Sequence, residues 1–403
     1  MRVLLTTPPG FSGFNASLTL AAGLRAAGHE VAYATAPSFA SRIAGAGYLA
    51  FGAGLDYDLS VPESIPRIHQ ATGHGAALAV FAELARRGMV EDLETLIGRW
   101  HPDLMIRSYL EFGAWIAAER CGIPLAWASP GGLDLPAVLL ASFTGDILTR
   151  ELPGRYGLPT DPGLSRLYSY PYLNTMPAEV TPPGFPLPPL TFRYRDRAFD
   201  PITADSLPDW VGELGDRPVV HASLGTVFSG TGEGKRLHEV VLEALSEEPV
   251  DLILAIGPKS DPEDYGRQPP NVRIVRHIAE HRAFLDHCDV LVTHGGAATS
   301  LLAIAAGAPA CFLPLHADQP ILAKRLTDLG AGLIAGSGPD DRRPFPAVDI
   351  ASLRPQDVRE SVQRLLTERS FTLAMRRLSR QGRALPPVAE AVSWLERTTE
   401  RTS

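Results

Sequence analysis

Apolar runs alternate with helical patterns along most of this 403-residue chain. Val3-Leu4-Leu5 reads as a strand, and 17–28 as a helix closed by Gly28, since glycine accepts the left-handed backbone that ends helices. Val31 to Thr35 supplies a second strand. Ala76–Arg87 and Val90–Trp100 carry apolar residues at helical spacing. Leu104-Met105-Ile106 follows Pro102-Asp103 as a strand, 112–121 is a helix stopped by Gly122, and Pro124 to Ala128 is a further strand. This order predicts a parallel sheet with helices on both faces.

The stretch 176–208 breaks the pattern: it is dense in proline and carries no periodicity, as a linker would. Alternation then restarts. Strands are expected at 219–224, 250–256, 272–275, 290–292 and 310–313, with helices at 234–247 and 297–306. The expectation is an α/β chain of two Rossmann-like domains, 1–200 and 209–385, with a helix at 387–403 after Pro386-Pro387 packing back on the first.

Composition narrows the function. The length exceeds one ordinary core, and 45% hydrophobic with 20% charged residues is normal for a soluble globular protein. The net charge of −8 and the absence of a basic patch exclude nucleic acid as a partner. Cys121, Cys288 and Cys311 are far apart and form no CxxC, so reduced thiols, a cytoplasmic location and no metal are expected. The opening Met1-Arg2-Val3 enters a strand with no charged leader, and no apolar run reaches membrane-spanning length.

The most informative stretch is 287–333. A strand ends at Thr293, His294-Gly295-Gly296 turns, and a small-residue helix opens at Ala297. The unpaired N–H groups of such a helix start carry the positive end of the helix dipole. With Thr299 and the His294 imidazole they suit a diphosphate without a metal. Ser223-Leu224-Gly225-Thr226 is a second anion-binding turn, and Asp318-Gln319 sets a carboxylate beside an amide at a strand end, as paired sugar hydroxyls require.

These residues resemble the signature of GT-B glycosyltransferases of natural-product biosynthesis, H-G-G-x-G-T followed by P-x-x-x-D-Q. Here it stands as His294-Gly295-Gly296-Ala297-Ala298-Thr299, then Pro314 and Asp318-Gln319, with Ala298, Ala279 and Leu322 departing from the usual pattern. Gly28-His29-Glu30, "PDLMI" at 102–106, "ERCGIP" at 119–124 and "SLGT" at 223–226 extend the likeness over the whole chain. The resemblance implies two facing domains across a deep cleft, with an N-terminal acceptor site and a C-terminal nucleotide-sugar site. It implies inverting transfer that uses the nucleotide sugar as co-substrate and no metal or other cofactor. His294, Gly295, Gly296, Ala297 and Thr299 would meet the diphosphate with Ser223 and Thr226 nearby, the backbone at Ile278 the base, and Asp318 and Gln319 the sugar. The implied partners are a small-molecule acceptor and a UDP- or dTDP-sugar; the protein would be a monomer or homodimer with no stable membrane insertion.

The first turn departs further. Relatives carry G-H-x-x-P there, whose histidine deprotonates the acceptor and is oriented by an Asp on a later strand end. Counted back from Gly28-His29, this chain reads Ser12-Gly13-Phe14-Asn15-Ala16, and Arg107-Ser108-Tyr109 follows the "PDLMI" strand, so both members of the dyad are absent. No histidine precedes His29, which is placed to cap the helix end. Gly13, Phe14, Asn15, Ser108 and His74 are the candidate acceptor-site residues, and Tyr57, Phe81, Trp115 and Trp127 could line the pocket or simply fill the core.

Three readings remain open. Another group supplies the base: Asp134 in "SPGGLDLP", or one of His69, His74 and His316 if these are not surface residues. Alternatively, the acceptor is a phenol or acidic carbon that ionises readily, as C- or aryl-O-transfer would use. Or the scaffold binds an aglycone or nucleotide as an auxiliary or resistance protein, or carries out other chemistry.

Overall fold

Apolar runs such as Val3–Leu5 and Leu252–Ala255 are buried on both faces, which is what parallel strands covered by crossover helices require. The structure, a computed structural model, describes residues 1–57, 81–129, 146–184, 187–200, 207–225, 229–258, 260–316, 318–338, 343 and 346–400. It divides into two units: Met1–Met176 with Pro183–Asp196 and the chain from Leu385 onward, and Pro177–Pro182 with Arg197–Ala384.

In the first unit the strands are β1 (Arg2–Thr6), β2 (Glu30–Thr35), β3 (Leu49–Gly52), β4 (Leu104–Ser108), β5 (Leu125–Ser129), β6 (Tyr172–Asn174) and β7 (Thr191–Arg193). They form one sheet in the order β3-β2-β1-β4-β5-β6-β7, and every pair is parallel. Helices α1 (Phe11–Ala26), α2 (Pro37–Gly45), α3 (Val90–Trp100) and α4 (Gly113–Cys121) make the crossovers. Two cores result. Leu4, Met105 and Trp127 pack with α3 and α4 on one face; Val3, Leu5, Leu104 and Ile106 pack with α1 on the other.

The second unit repeats the plan. Strands β8 (Val219–Ser223), β9 (Asp251–Ala255), β10 (Val272–Val275), β11 (Val290–Thr293), β12 (Ala310–Phe312) and β13 (Gly332–Ile334) pair in parallel in the order β10-β9-β8-β11-β12-β13. Its helices are α5 (Gly232–Leu245), α6 (His281–Leu285), α7 (Ala297–Ala306), α8 (Gln319–Asp328), α9 (Pro355–Thr367) and α10 (Arg369–Arg383). The segment 177–182 joins this unit because Arg325 donates to the Glu179 carbonyl and Arg377 pairs with the Glu179 carboxylate at 3.1 Å.

The last helix, α11 (Val388–Glu400), lies on α1 of the first unit. Ala391, Val392 and Leu395 are buried in the core shared with Leu20 and Leu24. A Cβ at Gly23 would lie 2.7 Å from Val388 Cγ2, so glycine is what lets the helices close. The His29 ring does not cap carbonyls: its Nε2 lies 3.0 Å from Glu396 on α11, and its backbone N–H closes the α1 end on Leu24 O.

The structure corrects several boundaries. Helix α1 begins at Phe11 rather than 17, so residues 13–16 belong to its first turns and not to a loop. Within the proline-rich stretch, 191–193 forms the edge strand β7, which three residues of pairing suffice to make. All three cysteines are free thiols. Leu395→Ala removes a fully buried side chain from the α1–α11 contact, and the expected result is a loss of about 2–5 kcal/mol, measured as a lower denaturant midpoint.

Candidate functional site

Both sheets reverse their strand order once, between β1 and β4 and between β8 and β11. At such a point the loops leaving adjacent carboxyl ends diverge to opposite faces and open a crevice. Each unit places its candidate residues there.

In the second unit β8 ends at Ser223 and β11 at Thr293. His294 then lies between two glycines. A Cβ on Gly225 would stand 2.8 Å from its Cε1, and one on Gly296 would stand 2.6 Å from its Nε2. The ring is held by a hydrogen bond to the Ser223 backbone, with Thr293 Oγ1 3.3 Å from Nδ1. Burial lowers its pKa to about 4. The ring is therefore neutral near pH 7, and the positive potential at this site comes from the start of α7.

Helix α7 has no side-chain cap from its own N-cap, Gly296. Its first N–H, on Ala297, donates instead to Asp318 Oδ2 at 2.8 Å. Burial raises the Asp318 carboxyl to about 6 against the lowering effect of that bond. Gln319 Oε1 accepts from the Leu315 and His316 backbone N–H groups at 2.9 and 3.1 Å. The structure thus gathers Ser223, His294, Gly295, Gly296, Ala297, Asp318 and Gln319 around the α7 start, with Thr299 half-buried on the first turn. Both members of the Asp-Gln pair are turned onto backbone donors. The Ile278 side chain is buried with Val219, Ile253 and Phe284. His316 is a surface residue 3.4 Å from Glu233, and Thr226 lies outside the described residues.

In the first unit β1 ends at Thr6 and β4 at Ser108. A Cβ on Gly13 would stand 2.5 Å from Thr7 Oγ1 and 3.9 Å from Ser108 Oγ. A side chain at the position that lacks the histidine would therefore have to displace the Thr7 hydroxyl. Gly13, Ser17, Tyr33, Ser108, Tyr109 and Ser129 line a cavity with a mostly apolar surface, and Tyr33 Oη lies 2.8 Å from Ser17 Oγ. Phe14 does not reach it. Its ring is buried among Tyr33, Phe39 and Tyr48, with centroids 5.4–6.4 Å apart, because position 14 falls on the core face of α1. Asn15 is exposed, and His69, His74 and Asp134 lie outside the described residues.

Thr7 also borders a second cavity, lined by Pro8, Pro9, Tyr57, Phe81, Met89 and Glu111 among others. Tyr57 and Phe81 are therefore wall residues. Trp115 and Trp127 are core: Trp115 Nε1 donates to Glu119 at 2.9 Å, and Trp127 stacks on Tyr172 at 3.9 Å. Glu111 escaped the sequence analysis. Its only signal there is an acid just ahead of a helix, which reads as ordinary capping. Among the described residues no group of three His, Cys, Asp or Glu could hold a metal ion, and no helix is long and apolar enough to cross a membrane.

Two doubly wound units with the His-Gly-Gly and Asp-Gln elements at one switch point define a GT-B glycosyltransferase, and comparison with known proteins agrees. The chain belongs to the natural-product glycosyltransferases: it matches the Erythromycin biosynthesis protein CIII-like N-terminal domain over 22–209 and the C-terminal domain over 239–397. It is similar to 4'-demethylrebeccamycin synthase of Lentzea aerocolonigenes, 28% identical over 98% of this chain and 99% of that protein. It is also similar to 10-deoxymethynolide desosaminyltransferase of Streptomyces venezuelae, 28% identical over 98% and 97%. The crystal structure of glycosyltransferase VinC in complex with dTDP superposes with a TM-score of 0.74 at 26% identity, covering 100% of both chains.

Gly13→His is expected to give no gain in transfer and to lower the melting temperature, because the new side chain must displace Thr7; a thermal melt beside an activity assay checks this. A second expectation concerns acid. Burial lowers His221, His238 and His294 to about 4 and His281 to about 3, from 6.5. The unfolded chain takes up these protons near 6.5 while the folded one resists, so stability is full above 6.5 and falls as pH drops towards 4. Asp318 opposes this with one proton. His221 and His281 share a 3.0 Å Nε2–Nε2 contact, so replacing both with leucine should flatten the slope of melting temperature against pH.

Proposed function

We propose that the protein transfers a sugar from a nucleoside-diphosphate donor, UDP or dTDP, to a hydrophobic natural product of aromatic or polyketide type, with inversion and without a metal ion. The observation that carries this reading is the seat of His294 between Gly225 and Gly296 at the start of α7. It sets the imidazole beside the main-chain N–H groups at the positive end of a helix, which suit a diphosphate. The names of the relatives and the dTDP bound to VinC support the donor and acceptor classes.

In an inverting transfer the acceptor oxygen or carbon attacks the anomeric centre directly as the diphosphate leaves. An alcohol needs a base for this, and the first turn has none. Asp134, which follows β5 in the sequence and lies outside the described residues, is one candidate for the base; an acceptor that ionises readily is the other route.

The test is calorimetric titration with UDP and with dTDP. Wild-type protein should bind one of them with micromolar affinity, unchanged by EDTA, and His294→Ala should weaken binding by about tenfold or more, roughly 1.4 kcal/mol. Failure of both nucleotides to bind would overturn the donor reading and leave a repurposed scaffold.

A further inference from the structure

The second cavity of the first unit has apolar walls and a carboxylate among its lining residues. Pro8, Pro9, Tyr57, Phe81 and Met89 supply the walls, and Glu111 is only 6% exposed. Three donors fix the carboxylate. Thr6 Oγ1 gives a hydrogen bond to Oε2 at 2.9 Å from the end of β1, Ala114 N gives one to the same oxygen at 2.9 Å, and Gly113 N gives one to Oε1 at 2.7 Å. A carboxylate accepts about four hydrogen bonds, so one lone-pair direction remains on Oε1.

A serine or threonine would cap α4 without burying a charge, which is costly. A desolvated carboxylate at the carboxyl edge of a sheet, where the strand order reverses, is instead the arrangement expected of an acid–base group. We propose that Glu111 takes the proton of an acceptor hydroxyl docked in this cavity, supplying the base that the start of α1 lacks. The inference rests on the transferase reading above. The proton passes from the acceptor O–H to Glu111. The freed electron pair of the acceptor oxygen forms the bond to the anomeric carbon, and the bond from that carbon to the diphosphate breaks, its electrons leaving with the nucleotide.

The electrostatics agree with this role. Burial raises the Glu111 carboxyl above the usual range. The Thr6, Gly113 and Ala114 donors and the Arg107 charge on β4 pull it back, and Tyr57 feels it from the cavity wall.

The test uses a phenol series running from the acidic 4-nitrophenol to the weakly acidic 4-methoxyphenol, with dTDP- and UDP-glucose as donors. Glu111→Gln should lose about 100-fold or more in kcat on 4-methoxyphenol but far less on 4-nitrophenol at alkaline pH, where the phenol is already ionised. Thr6→Val keeps the carboxylate but loses a bond that favours its charged form, so the acid limb of its kcat/KM profile should move to higher pH. A uniform loss across the series, no loss, or selective loss in Asp134→Asn instead would overturn the proposal. A donor-free measurement separates this from failure of the transferase reading. 4-Nitrophenol bound beside Glu111 should show a raised pKa by absorbance, and Glu111→Gln of unchanged circular dichroism should abolish the shift. An unshifted 4-nitrophenol in the wild type overturns the proposal even if transfer occurs.

Discussion

Parallel strand pairing is the constraint on which everything else in this molecule rests. Every strand pair in both sheets is parallel. A parallel pair cannot be closed by a hairpin and needs a crossover, usually a helix. The crossovers cover both faces of each sheet with apolar side chains, as with Trp127 on one face and Ile106 on the other. Only the strand ends are left for chemistry, and only the order reversals open a crevice among them. Thr6 and Ser108 flank one reversal and Ser223 and Thr293 the other. The two sites are thus consequences of one topological rule applied twice.

Much of this was legible in the sequence because it depends on neighbours along the chain. The helix read at 297–306 is Ala297–Ala306, and the Ser223 and His294 turns follow the predicted strands. What was not legible depends on partners far away. The strands β3, β6, β7 and β13 are three or four residues long, too short for a period, and are defined by pairing with neighbours distant in the chain. Aligning Ser12–Ala16 against a family pattern identified which residues replace the dyad, but not the faces they occupy; Phe14 turns inward among aromatic rings. Glu111 becomes visible as a site only when Thr6, 105 positions earlier, is brought against it.

The α7 start shows how the protein balances the charges around the proposed diphosphate site. The helix end carries positive potential, and the His294 ring beside it is kept neutral by burial. Asp318 then places its own carboxylate on the first N–H, which gives the helix a cap that Gly296 cannot provide. The Gln319 amide braces the strand-end loop at Leu315 and His316 in the same way. Oxygens of the pair that the resemblance assigns to sugar hydroxyls therefore already hold backbone donors, and a sugar that engages Asp318 Oδ2 or Gln319 Oε1 must exchange one set of hydrogen bonds for another. Such an exchange yields little net energy, so in the proposed complex affinity falls chiefly to the nucleotide and discrimination to the sugar.

Thr6, the last residue of β1, and Thr7 beside it connect position 13 to the proposed base. Thr6 lies on the face of α4 and donates to Glu111. Thr7 stands against α1, where its hydroxyl fills the space that a side chain at position 13 would need. A side chain at position 13 meets the hydroxyl of Thr7, while the Glu111 carboxylate is held by the residue before it. On the proposed mechanism acid–base chemistry thus shifts from the start of α1, where the resemblance implies a histidine, to Glu111 beside the second cavity. A histidine restored at position 13 would have to displace the Thr7 hydroxyl, which stands 2.5 Å from where its Cβ would lie.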